Sequence, residues 1–91
     1  MTQTLEKNVL ITNKRGLHAR AAAKFVRVVE NHKAEVTVIK DDASVSGASI
    51  MGLLMLSASV NTHIRIVVKG QGAAEVLQEL ADLVGRRFDE E

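Results

Sequence analysis

Cysteine, proline, tryptophan and tyrosine are all missing from this 91-residue chain, and phenylalanine occurs only twice. Without cysteine, neither a disulfide framework nor a thiolate metal site can hold the fold, and a reducing, intracellular setting is the simplest expectation. Without tryptophan or tyrosine, and with a formal net charge of only +1, the chain has neither a base-stacking platform nor a broad basic footprint for nucleic acid. No long apolar run occurs either. The longest, Ile50 to Leu56, is broken by Gly52 and is far too short to cross a bilayer. Met1 to Thr4 is polar and no basic-then-apolar segment follows, so no signal peptide is expected.

What remains is ordinary for a folded domain: 46% hydrophobic and 25% charged residues. The length has room for one core, so residues 1–91 are expected to form a single domain. Leu5, Val9 and Ile11 alternate as in a strand, with Lys7 breaking the pattern, and Asn13 to Gly16 reads as a turn. From Ala19 to about Asn31, Ala21, Ala22, Phe25, Val26 and Val29 recur at helical spacing. Glu35 to Lys40 and Ala43 to Ser46 read as a hairpin around Asp41-Asp42, and Ser49 as the cap of a short helix over Ile50 to Leu56. Thr62 to Lys69 alternates cleanly. Ala73, Val76, Leu77, Leu80, Ala81, Val84 and Phe88 then make one helical stripe after the Gly70-Gln71-Gly72 turn. The order βαββαβα, with one apolar stripe per helix, predicts an α+β fold with three helices on one face of a four-stranded antiparallel sheet.

Charge is unevenly distributed. Lys14, Arg15, Arg20, Lys24, Arg27 and Lys33 face only Glu30 between Asn13 and Lys33, whereas six acidic residues lie between Gln71 and Glu91. His18 stands where the turn ends and the first helix begins, with no carboxylate from Asn13 to Val29. The first amides of a helix carry partial positive charge and favour an acidic neighbour, so this start is electrostatically poor unless an anion binds there. A neutral imidazole is also a competent nucleophile. From spacing alone two readings stand side by side: an anion-binding nucleophile, or a histidine cap among scattered surface charges. The three histidines, His18, His32 and His63, are too dispersed to suggest a metal site.

The segment Gly16-Leu17-His18-Ala19-Arg20-Ala21-Ala22-Ala23 resembles the active-site motif of the histidine-containing phosphocarrier (HPr) family of bacterial phosphotransferase systems. Gly47-Ala48-Ser49-Ile50-Met51-Gly52-Leu53 resembles the regulatory-serine motif of the same family. The resemblance spans roughly Val9 to Val84 and implies an open-faced β-sandwich. It also implies that His18 accepts a phosphoryl group on Nδ1 from phospho-enzyme I and donates it to IIA-type domains. Arg20 would neutralise the phosphoryl oxygens and the Ala19 and Arg20 amides would hold them. The protein would then be a cytoplasmic, monomeric carrier rather than an enzyme, needing no cofactor. Ala21 stands where the family usually has proline, which implies a retained site with looser donor geometry.

The helix over Ile50 to Leu56 is apolar nearly all round, yet a short surface helix buries one stripe. Leu53 and Leu56 are expected in the core, with Met55 joining them, and Ile50, Met51 and Leu54 on the surface. Ile50, Met51 and Leu54, with Arg27, are the expected docking residues. Ser49 has two readings, a helix cap worth about 1 kcal/mol and, by the resemblance, a target of an HPr kinase. Ala48 replaces the polar residue often found before that serine. His32 should lie near the end of the first helix and His63 on the outer sheet face. Three rivals stand beside the carrier reading: the same chemistry in a nitrogen-related regulatory chain, a small nucleic-acid-binding domain and, remotely, a metal-dependent hydrolase.

Overall fold

The structure, a computed structural model, describes residues 3–90. Its elements follow the expected order: β1 (Thr4–Leu10), α1 (Ala19–Glu30), β2 (Glu35–Lys40), β3 (Ala43–Ser46), α2 (Ile50–Met55), β4 (His63–Lys69) and α3 (Ala73–Gly85). The strands form one antiparallel sheet in the order β1-β4-β2-β3. Register follows the alternation in the sequence. Val9 lies opposite Ile64, while Val36 and Val38 face Val68 and Ile66 across the β2–β4 pair, and all six are buried. Asn8, Arg65 and His63 occupy the opposite, exposed face. The three helices cover only the apolar face, so the sheet is open on the other. Lys7, opposite Ile66 on the β1 edge, is the one charged residue of β1 on the helix-side row, and it is exposed.

The amphipathic stripes explain the helix packing. Ala21, Ala22, Phe25, Val26 and Val29 of α1 are buried, as are Ala73, Val76, Leu80, Leu83 and Val84 of α3. Complete burial of Phe25 contributes about 2–3 kcal/mol. Gly47 lets the β3–α2 connection cross the core at close range: a Cβ there would lie 2.6 Å from Val36 Cγ1 and 3.3 Å from the Phe25 ring.

Two expectations need correction. The last stripe is not a single helix through Phe88. α3 ends at Gly85, and Arg87–Asp89 form a 3-10 turn in which Arg87, Phe88 and Asp89 all have positive φ (59°, 55° and 61°). This turn swings Phe88 back into the core, where its ring is fully buried. Left-handed backbone costs about 1–2 kcal/mol per non-glycine residue. Burial of Phe88, at about 2–3 kcal/mol, and a charged hydrogen bond to its carbonyl, at about 1.5–3 kcal/mol, offset that cost. The bond comes from Lys24 Nζ at 2.7 Å.

The second correction concerns α2. Leu53 and Leu56 are buried as expected, but Met55 is 76% exposed and Leu54 is half-buried against the core. At 3.6 residues per turn, Met51 and Met55 share a stripe pointing away from Leu53. The exposed patch is therefore Ile50, Met51 and Met55, at 40%, 70% and 76%.

Candidate functional site at the start of the first helix

The turn before α1 is built so that His18 ends it in an extended conformation. Gly16 has φ +64°, and a Cβ at that position would lie 2.4 Å from the Ala58 carbonyl oxygen. The Leu17 amide donates to that same oxygen at 2.8 Å, fixing the turn against the chain that follows α2. Asn13, only 1% exposed, closes the turn by donating from Nδ2 to the Gly16 carbonyl at 2.7 Å. His18 then serves as the N-cap of α1, with φ −81° and ψ 179°.

The cap bond orients the ring. His18 Nδ1 accepts from the Arg20 amide at 3.3 Å, and its carbonyl accepts from the Ala22 amide at 2.8 Å. A nitrogen that accepts an N–H must offer a lone pair, so the ring proton belongs on Nε2. Nε2 meets the carboxylate of Glu90 through Oε2. The other carboxylate oxygen, Oε1, accepts from Asn13 Nδ2 at 2.9 Å. The side chains of His18 and Glu90 are each 15% exposed, so the pair is largely shielded but reachable. Burial pushes the Glu90 carboxyl upward. The hydrogen bonds from Asn13 and His18, with the charges of His18 and Arg15, outweigh it and hold the group below the usual carboxylate value.

Glu90 and Arg20 also line an open concavity of about 360 Å³, together with Lys14, Arg15, Lys24 and Asp89. Arg20 and Ala19 are exposed at the first turn of α1. Among the described residues no carboxylate pairs with the Arg20 guanidinium. Arg27 is exposed one turn beyond Lys24, lining a neighbouring hollow with Lys24, Val28, Asn31, Leu83 and Asp89. Ser49 caps α2, its Oγ accepting from the Gly52 amide at 2.9 Å, and so places Ile50 and Met51 at the exposed start of that helix. His32 pairs with Glu79 of α3 at 3.3 Å, and His63 is exposed on the outer sheet face. Among the described residues no three His, Cys, Asp or Glu side chains converge as metal ligands, and no helix is long and apolar enough to cross a membrane.

The site also holds Asn13 and Glu90, neither of which the sequence reading assigned to it. The signal for Glu90 was the charge asymmetry itself. A basic segment without carboxylates and an acidic chain end are complementary, but nothing local shows which acid meets which base.

The family model described as "PTS HPr component phosphorylation site" matches residues 5–86. A phosphocarrier protein HPr of Neisseria meningitidis is 44% identical over 94% of this chain and 97% of its own length. A phosphocarrier protein NPr of Shewanella violacea is 42% identical, with 94% of each chain covered. Among solved structures, the crystal structure of HPr-C-His from Thermoanaerobacter tengcongensis superposes with a TM-score of 0.91 at 36% identity, covering 96% of this chain and 98% of that one. The sequence motifs, the open-faced sandwich and these relatives agree: the chain belongs to the PTS-HPr family, the phosphocarrier proteins of the phosphotransferase system.

Proposed function

We propose that this single-domain protein carries a phosphoryl group on His18 Nδ1, taking it from the phosphohistidine of enzyme I and passing it to an IIA-type domain in the cytoplasm. The observation that carries the proposal is the placement of Nδ1: it caps α1 and faces the Arg20 amide at 3.3 Å, and Arg20 lines a concavity with three further basic side chains, Lys14, Arg15 and Lys24. The Nδ1 lone pair attacks phosphorus, the Nδ1–P bond forms, and the donor's N–P bond breaks with its electron pair leaving on the donor nitrogen. The loose transition state spreads charge over the three equatorial oxygens. The Ala19 and Arg20 amides and the Arg20 guanidinium are the donors suited to receive them. The Arg20 amide exchanges its ring acceptor for a phosphoryl oxygen. Onward transfer runs the same steps in reverse.

Partners dock on the exposed Ile50, Met51 and Met55 patch, with half-buried Leu54 supporting it and Arg27 contributing charge from α1. An apolar patch with pliable methionines suits a surface that meets more than one partner. Phosphorylation of Ser49 by an HPr kinase would add about −1.5 to −2 charges beside that patch at a helix start, blocking docking without unfolding α2. The carrier proposal is tested by labelling from phosphoenolpyruvate and enzyme I. An acid-labile, base-stable label in the wild type, lost in His18→Ala, is the expected result; label retained in His18→Ala overturns it.

The 42% identity to a phosphocarrier protein NPr favours a second reading, the same chemistry at His18 in a nitrogen-related regulatory chain. Comparing purified enzymes I of the two circuits as donors separates the readings by rate.

A further inference from the structure

We infer that Glu90 is a positioning residue for phosphoryl transfer: delivered to His18 by the left-handed turn after α3, its carboxylate holds the ring proton on Nε2 and the lone pair on Nδ1. The inference rests on the carrier reading above and assigns a role to a residue beyond the stretch, residues 5–86, that the family model covers. Three independent anchors fix the carboxylate. Phe88 is fully buried two residues before it, Lys24 Nζ holds the Phe88 carbonyl at 2.7 Å, and buried Asn13 donates to Oε1 at 2.9 Å. Oε2 is left for His18 Nε2. Asn13 also ties the Gly16 carbonyl at 2.7 Å, so one amide locks the turn that presents the ring to the acid that orients it.

The chemistry uses this arrangement in both directions. A neutral imidazole has two tautomers, and only the one protonated on Nε2 offers Nδ1 to phosphorus. As the Nδ1–P bond forms, the ring becomes cationic while its proton stays on Nε2, and the carboxylate stabilises that charge as it develops. In the return direction the phosphorylated ring must leave as neutral imidazole, which requires the same Nε2 proton. The charged and titratable groups lining the concavity that Glu90 shares are Lys14 and Arg15 of the preceding turn, Arg20 and Lys24 of α1, and Asp89 beside Glu90 itself. Among these, Glu90 is the one whose carboxylate bonds the ring. The basic groups oppose a cationic ring, so the carboxylate offsets their field at the point where the positive charge appears.

The test compares wild type, Glu90→Gln and Glu90→Asp, each labelled at the histidine nitrogens. Nitrogen NMR of the unphosphorylated proteins reads the tautomer, and the phosphorylated proteins are followed for transfer rate and for hydrolysis against pH. The expected result is a wild-type ring protonated on Nε2, a tautomer mixture in Glu90→Gln, and transfer slowed about tenfold. The alkaline fall of the hydrolysis profile should move about one unit to lower pH in Glu90→Gln and part of the way back in Glu90→Asp. A purely structural role for Glu90 would move none of these in the folded variants. An unchanged tautomer and an unchanged pH profile in Glu90→Gln, with the wild type labelled at His18, overturn the inference and leave the carrier reading intact. A wild type that takes no label from enzyme I overturns both.

Discussion

Lys24 Nζ, on the second turn of α1, donates at 2.7 Å to the carbonyl oxygen of Phe88, sixty-four positions along the chain. This bond ties the end of the chain to the helix that His18 caps. Phe88→Ala removes both a buried ring and the reason for the left-handed turn, and a loss of about 3–5 kcal/mol is expected, read from the urea midpoint. Arg87→Gly should act the other way. Arg87 is exposed with φ 59°, and relief of backbone strain outweighs the added freedom of the unfolded chain by roughly 0.5–1 kcal/mol. A fall in the midpoint for Arg87→Gly would contradict the strain assigned to this turn.

Gly16→Ala should be severe. The new Cβ falls 2.4 Å from the Ala58 carbonyl oxygen at a backbone φ of +64°, so the turn must shift and carry His18 with it. A loss of at least about 2 kcal/mol is expected, with phosphoryl acceptance falling further than stability alone explains. Transfer assays at a temperature where the variant is fully folded separate the two effects.

On α2, Ile50→Glu and Met51→Glu should slow transfer while leaving the unfolding free energy within about 0.5 kcal/mol of wild type. Leu54→Glu should lower the midpoint as well, because Leu54 is half-buried against the core. Ser49→Ala loses the bond to the Gly52 amide and should cost about 1 kcal/mol. Ser49→Asp keeps a cap acceptor but sets a charge beside Ile50, so its stability should exceed that of Ser49→Ala while its transfer is slower.

Glu90 is held below the usual carboxylate value, so it releases its proton more readily in the folded chain than in the unfolded one. Its contribution to stability is therefore complete above the ordinary glutamate value and disappears as pH falls through the lowered one. The difference in urea midpoint between wild type and Glu90→Gln should shrink as acid is added between about pH 5 and 3, where the carboxylate takes up its proton. A difference that stays level or grows across that interval would show that the pairing with His18 and Asn13 does not form.

Local periodicity carried most of the architecture. The alternation of Ile64, Ile66 and Val68 placed β4 and its buried face, and Ala21, Phe25 and Val29 placed the inward stripe of α1. His18 stood out because a helix start crowded with cations is locally anomalous, but spacing alone left it between an anion-binding nucleophile and a histidine cap. Periodicity failed where a residue's fate depends on chain distant in sequence. Phe88 fits the α3 stripe by spacing, yet it reaches the core through a turn that local pattern gives no reason to expect. Met55 and Leu54 differ by one position, and the azimuth of Leu53 against the core decided between them. Glu90 meets His18 across seventy-two positions, a pairing that only the folded chain defines.

Lys7 has a consequence for how molecules of this protein meet one another. β1 is a seven-residue edge strand with no strand beyond it among the described residues, the kind of border on which foreign strands grow ribbons. An incoming strand would have to bury the Lys7 ammonium beside its own apolar row, or leave that row unfilled. The residue that spoils the alternation in the sequence thus makes this edge a poorer template for strand addition than an all-apolar row would be. Replacing it with valine would perfect the pattern and remove that obstacle.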